Sequence, residues 1–207
     1  MTAPKGRNPQ IEVTPRRIRV RLRPDNVDQL ALDFCRVLTK LQVRYALVSG
    51  YVAILLGRNR LSEDIDLFVE RLSVRQFKAL HSALTKSLEC ITPGTVETLH
   101  GSYLDAGAES TSVRYARPET FSPNVEMKFA QKPVHHYSLS RRVPVDVNGQ
   151  RLYIGALEMG IVYKLKMGSE KDLADARWMY DRTRERLHRP ELNKLMEEMD
   201  AHAEWVT

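Results

Sequence analysis

The chain has little cysteine, no long apolar run and, beyond its first two dozen residues, no excess of either charge sign. Each absence excludes something. Cys35 and Cys90 form no metal-type spacing and read as buried free thiols, as in a reduced, cytoplasmic protein. No hydrophobic stretch approaches the roughly 20 residues that span a bilayer. The opening MTAPKGRNPQ lacks the apolar segment of a secretory signal. No membrane partner is therefore expected. The formal charge of +6 resides in residues 1–24, where Lys5, Arg7, Arg16, Arg17, Arg19, Arg21 and Arg23 face Glu12 alone. The remainder is neutral overall, so the body exerts no general pull on polyanions. Internal repeats and low-complexity linkers are also lacking.

What is present suits a globular protein of 207 residues, 43% of them hydrophobic, enough to bury a sizeable core. Ile18, Val20 and Leu22 alternate with Arg17, Arg19, Arg21 and Arg23, which predicts a half-buried strand at a sheet edge. A helix follows over RPDNVDQLALDFCRVLTKLQV, capped by Asp25 or Asn26. RYALVS reads as a strand, GYVAILLG as a short helix opening at Gly50, DIDLFVE as a second strand and SVRQFKALHSALTKSLE as a helix capped by Ser73. Residues 91–122 mix glycine and proline and support no assignment. VEMKFA is a third strand, and RRVPVDVNGQRLYIG a hairpin turning at Asn148-Gly149. Three helices complete the chain: ALEMGIVYKLKMG, EKDLADARWMYDRT and RPELNKLMEEMDAHAEWV.

The chemistry centres on DIDLFV. Strand alternation puts Asp64, Asp66 and Phe68 on one face and Ile65, Leu67 and Val69 on the other. Two carboxylates about 7 Å apart on one face repel unless a cation joins them. Mg²⁺ takes oxygen ligands and uses one or two carboxylates plus substrate phosphates. A solvated strand face would explain the pair equally simply. Upstream, Ser49-Gly50 stands at a strand-to-helix turn, where a small residue and a glycine let a phosphate approach the backbone. Such turns also occur for steric reasons alone. Thirteen residues separate this turn from Asp64.

VSG, then EDIDLFV, resembles the signature of the DNA polymerase β-type nucleotidyltransferase superfamily, a glycine-serine turn, a helix and an Asp-x-Asp strand. It looks most like the AbiEii-like toxins and minimal nucleotidyltransferases, with glycine and serine exchanged. YKLKMGSEKDLADARWM resembles the family's later lysine segment, though an arginine common before its Lys-Asp is missing. The resemblance implies an α+β fold: a nucleotidyltransferase-like mixed sheet flanked by helices, with a helical C-terminal part. It divides the chain into a basic arm or edge strand (1–24), a core (25–155) and C-terminal helices packed on that core (156–207). It further implies transfer of a nucleoside monophosphate from a nucleoside triphosphate, assisted by Mg²⁺ or Mn²⁺.

In that scheme Asp64, Asp66 and Glu126 hold two ions and catalyse transfer. Ser49 and Gly50 carry the phosphates, and Lys164 or Lys171 neutralises the pyrophosphate. Asp146 rivals Glu126, but its place before Asn148-Gly149 reads as hairpin chemistry. Asp172 and Asp175 could equally serve the helix dipole. The acceptors implied are tRNA or other RNA, a protein, or a small molecule, and one role is the toxin of a toxin–antitoxin pair. The arginine strand could touch RNA phosphates, pair in a homodimer or bind an acidic antitoxin. The alternative is a non-catalytic module that keeps the fold for binding or regulation.

Overall fold

The alternation in DIDLFV carries through to the structure, a computed structural model that describes residues 9–206. Lys5 and Arg7 of the basic arm lie outside the described residues. Ile65, Leu67 and Val69 are wholly buried, while Asp64, Asp66 and Phe68 take the other face. Burying the three aliphatic side chains contributes about 1.5–3 kcal/mol each. That holds the strand in register and fixes where the carboxylates point.

Nine strands among the described residues make one mixed sheet. They are Gln10–Val13 (β1), Ile18–Arg21 (β2), Tyr45–Leu47 (β3), Asp64–Val69 (β4), Glu89–Cys90 (β5), Val113–Ala116 (β6), Asn124–Phe129 (β7), Val143–Val147 (β8) and Gln150–Ile154 (β9). Their order is β1-β2-β8-β9-β3-β4-β7-β6-β5. The central β4 runs antiparallel to β3 and parallel to β7, and this second pairing sets Asp66 beside Glu126 and Asp64 beside Asn124. The β8–β9 hairpin turns at Asn148 and Gly149, both at positive φ, as a two-residue primed turn requires. Asp146 accepts the Gly149 N–H there at 2.9 Å, the turn role its position suggested.

Helix Asn26–Lys40 (α1) opens on a capping box between Asp25 and Asp28, and Val74–Leu84 (α3) on one between Ser73 and Gln76. Both pack on the Ile65 face: Phe34 of α1 meets Tyr115 of β6, and Phe77 of α3 meets Phe129 of β7. Over the opposite face stand Pro133–Ser140 (α5) and Leu157–Met167 (α6), and α6 packs against Glu170–Thr183 (α7) and Arg189–Glu198 (α8). The short Ser49–Leu55 helix (α2) leans on β4 and α7. No helix among the described residues is long and apolar enough to cross a membrane. Cys35 and Cys90 are free, and burial pushes the Cys35 thiol up to about 12.

Several expectations change. The arginine strand β2 is not an edge: β1 covers its outer side and β8 its inner side, and Glu12 of β1 pairs with Arg17 at 2.9 Å. Neither β1 nor α5 follows from the sequence pattern, because each buries few side chains. Residues 91–122 hold a three-residue helix, Val96–Thr98 (α4), continued by a π turn at Leu99–Leu104, a 3₁₀ turn and β6. The last helix stops at Glu198, and the first turn of α2 begins at Ser49 rather than Gly50.

Candidate active site

Parallel pairing of β4 with β7 and antiparallel pairing of β7 with β6 write a row across the sheet: Asp66, Glu126, Arg114. The next row places Phe68 beside Lys128. A cleft of about 620 Å³ opens over this face between β4, β7, α5 and α6. Ser49, Asp66, Glu126 and Lys164 line it; Asp64, Gly50 and Lys171 do not. Asp64 sits exposed at the strand start, where the Asn124 amide donates to its Oδ1 at 2.7 Å. Lys171 is exposed, and Arg58 donates to its backbone carbonyl at 3.0 Å.

Each carboxylate has a different environment. Burial pushes the Asp66 carboxyl up, and Lys128, with Nζ 3.9 Å from its Oδ1, and the Ser49 hydroxyl partly offset that. Glu126 is bonded at both oxygens. Arg114 holds Oε1 at 2.5 Å, while Ser112 donates to Oε2 at 3.2 Å and Lys128 Nζ lies 3.5 Å from it. Beside them the His135 ring stacks on Phe68 with centroids 4.0 Å apart. Burial, then Lys132 and Lys128, hold that imidazole down at about 4, so it is neutral around pH 7.

Whether these groups suit divalent metal follows from their oxygens. Asp64 and Asp66 offer an all-oxygen pair on one strand face, and the Asn124 amide nitrogen steadies Asp64 from the neighbouring strand. That set fits the protein's share of one hard cation completed by substrate phosphates. It does not fit two ions. Among the described residues no three His, Cys, Asp or Glu side chains come together to hold a metal, and Glu126 is occupied by cations. The expected role of Glu126 as ligand to a second ion therefore conflicts with its bonding.

At the exchanged Ser49-Gly50 the glycine alone has a steric cause. Ser49 takes φ +61°, the left-handed region where glycine is favoured and other residues pay about 1–3 kcal/mol. A Cβ at position 50 would collide with Nη2 of Arg60. Arg60 is pinned there, donating to Leu61 O at 3.0 Å and Asp175 Oδ2 at 3.1 Å. Asp175 is fully buried and also binds Arg58 and Lys164, the latter at 2.8 Å. Lys164 additionally reaches Asp172 at 3.0 Å. Burial works to raise the Asp172 carboxyl, yet hydrogen bonds from Ser169 and Lys164 leave it below its ordinary value. Arg58 and Arg60 were not singled out from the sequence, although GRNRL ends two residues before the acidic strand. They place two cations at the corner where the lysine segment lacked one.

Gly50→Ala follows as a test. The new methyl drives Arg60 off Asp175, so stability should fall by about 1–3 kcal/mol, as for a disturbed buried polar network. Urea unfolding measures it, and a loss below about 0.5 kcal/mol would mean Arg60 yields freely.

No family model and no curated protein matches this chain. Solved structures do. A nucleotidyltransferase-like antigenic protein from Paracoccidioides brasiliensis is 20% identical, with 84% of this chain and 87% of that one aligned at a TM-score of 0.53. The antibiotic-resistance factor ANT(2'')-Ia is 12% identical, with 85% and 93% aligned at 0.52. At these identities the likeness is one of architecture: the chain has the nucleotidyltransferase-like α+β fold.

Proposed function

We propose that the chain is a divalent-metal-dependent nucleotidyltransferase, moving a nucleoside monophosphate from a nucleoside triphosphate to an acceptor hydroxyl. The observation that carries this reading is the shared face of Asp64 and Asp66 on β4, with Asp66 and Ser49 together at the wall of a 620 Å³ cleft. Asp64 and Asp66 would hold one Mg²⁺ or Mn²⁺, whose contribution when bound is to bridge and polarise the triphosphate. Ser49 would orient Asp66, and Lys164 at the cleft wall would place positive charge toward the departing pyrophosphate. Val134, Met159 and Tyr163 supply an apolar wall for the base or sugar.

The acceptor is RNA, a protein or a small molecule, and a toxin held in check by an antitoxin is one setting in which such a transfer acts. The exposed Arg21 and Arg23 and the half-exposed Arg19 offer RNA phosphates a cationic row, and the outer strand β1 offers a second copy a pairing edge. A second reading, a nucleotide-binding module without transfer, is favoured by the engagement of Glu126 with Arg114 and Lys128.

Transfer of label separates the two. Incubation with each α-labelled nucleoside triphosphate and Mg²⁺, over RNA, protein and small-molecule acceptor fractions, should label one fraction, and Asp64→Ala should label none. Undiminished labelling by Asp64→Ala would overturn the reading. Nucleotide binding with no labelled fraction would leave the second.

A further inference from the structure

Glu126 and Lys128 are two residues apart on β7, so they share the cleft face with Asp66, while Val125, Met127 and Phe129 turn to the core. Lys128 Nζ lies between the two acidic groups, 3.9 Å from Asp66 Oδ1 and 3.5 Å from Glu126 Oε2. Arg114, directly across β6 from Glu126, takes that residue's other oxygen. We propose that Lys128, with Arg114 behind it, is a built-in monovalent counter-cation standing where a second divalent ion would have to bind, so that this site takes one ion only. The proposal rests on the transferase reading above and deepens it.

Charge balance supports it. Asp64, Asp66 and Glu126 against Lys128 and Arg114 leave this face one net negative charge. One divalent ion turns that into one net positive charge. Three bare carboxylates would need two ions to reach the same balance. A second ion beside Glu126 would instead sit within a few ångströms of an ammonium and a guanidinium, with one carboxylate oxygen paired to Arg114 and the other accepting from Ser112 beside Lys128. Mg²⁺ and Mn²⁺ take such oxygens as ligands, and the two cations compete for them and repel a further positive charge. Asp66 and Glu126 need no metal to lie side by side, because Lys128 already offsets their repulsion. Lys128 is thus a positioning residue: it sets how many ions the carboxylates accept.

Equilibrium dialysis against Mn²⁺, with a non-hydrolysable nucleoside triphosphate analogue bound, tests this without any turnover. The wild-type protein should bind one Mn²⁺ per chain. Removing both cations in Lys128→Gln/Arg114→Gln frees Glu126, and the count should rise to two. Both side chains are at least one-third exposed, so the variant should fold. Two ions in the wild-type protein would overturn the proposal while leaving the transferase reading intact. One ion in a double variant that melts like the wild type would overturn it as well. No Mn²⁺ in either protein would sink the transferase reading itself, and this inference with it.

Discussion

Replacing Asp175 with alanine is expected to cost about 3–5 kcal/mol of folding stability, the largest loss of any single substitution at this corner. The carboxylate is fully buried and binds Arg58, Arg60 and Lys164 together. Breaking a buried ion pair from one side is far more costly than the net worth of the pair, because the partners stay desolvated without their counter-charge. Here three cations would be stranded around one cavity, with Asp172 as the remaining anion in contact with Lys164. The damage also travels. Asp175 lies on α7, Lys164 on α6 and the two arginines on the segment between α2 and β4, so the carboxylate ties three elements at the end of the cleft. Urea unfolding should show the midpoint fall with an unchanged slope. A loss under 1 kcal/mol would show that the cations rehydrate without hindrance.

At Asp66 the expectation is opposite in kind: activity collapses and the fold does not. Asp66→Asn keeps the shape of the side chain and removes the charge that would hold the metal. Losing several kcal/mol of charge stabilisation corresponds to about 10³-fold or more in transfer rate, at 1.36 kcal/mol per tenfold. Stability should hold or rise in metal-free buffer at pH 7. Burial, only partly offset by Lys128, sets the carboxyl above its ordinary value of 3.8. The folded protein therefore binds this proton more tightly than the unfolded chain. The wild-type protein gains stability as pH falls through that window and forgoes it as pH rises above it. Asparagine removes this contribution, so the stability difference between variant and wild type should favour the variant more at pH 7 than at pH 4. Melts in EDTA at both pH values measure it. A variant markedly less stable at pH 7 would make Asp66 a structural residue.

The parts of this site that could be read in advance are the ones set by local pattern. Period-two alternation put Asp64 and Asp66 on one face and Ile65, Leu67 and Val69 on the other, as the burial of β4 bears out. Asn148-Gly149 called for a primed turn, and the β8–β9 hairpin makes one. What escaped notice depends on partners distant in sequence. Arg114 belongs to residues 91–122, where short elements broken by turns give no period to follow. Its meeting with Glu126 exists only through the β6–β7 register. Lys128 is plain in VEMKFA, yet its bridging place appears only when β4 lies parallel beside β7. Arg58 and Arg60 meet a carboxylate more than a hundred residues further along. Position 50 could be known as glycine from the sequence, but not that a guanidinium fills the space over it.

The central claim is that Asp64 and Asp66 form a metal-assisted triphosphate site, and ligand-dependent melting tests it most directly. With a nucleoside triphosphate and Mg²⁺ together, at concentrations about 100-fold above the dissociation constant, wild-type stability should rise by about 2.7 kcal/mol. Nucleotide with EDTA should give little or none of that gain, and Asp66→Asn should lose it even with Mg²⁺ present. An equal rise in EDTA, or in Asp66→Asn, would contradict the account.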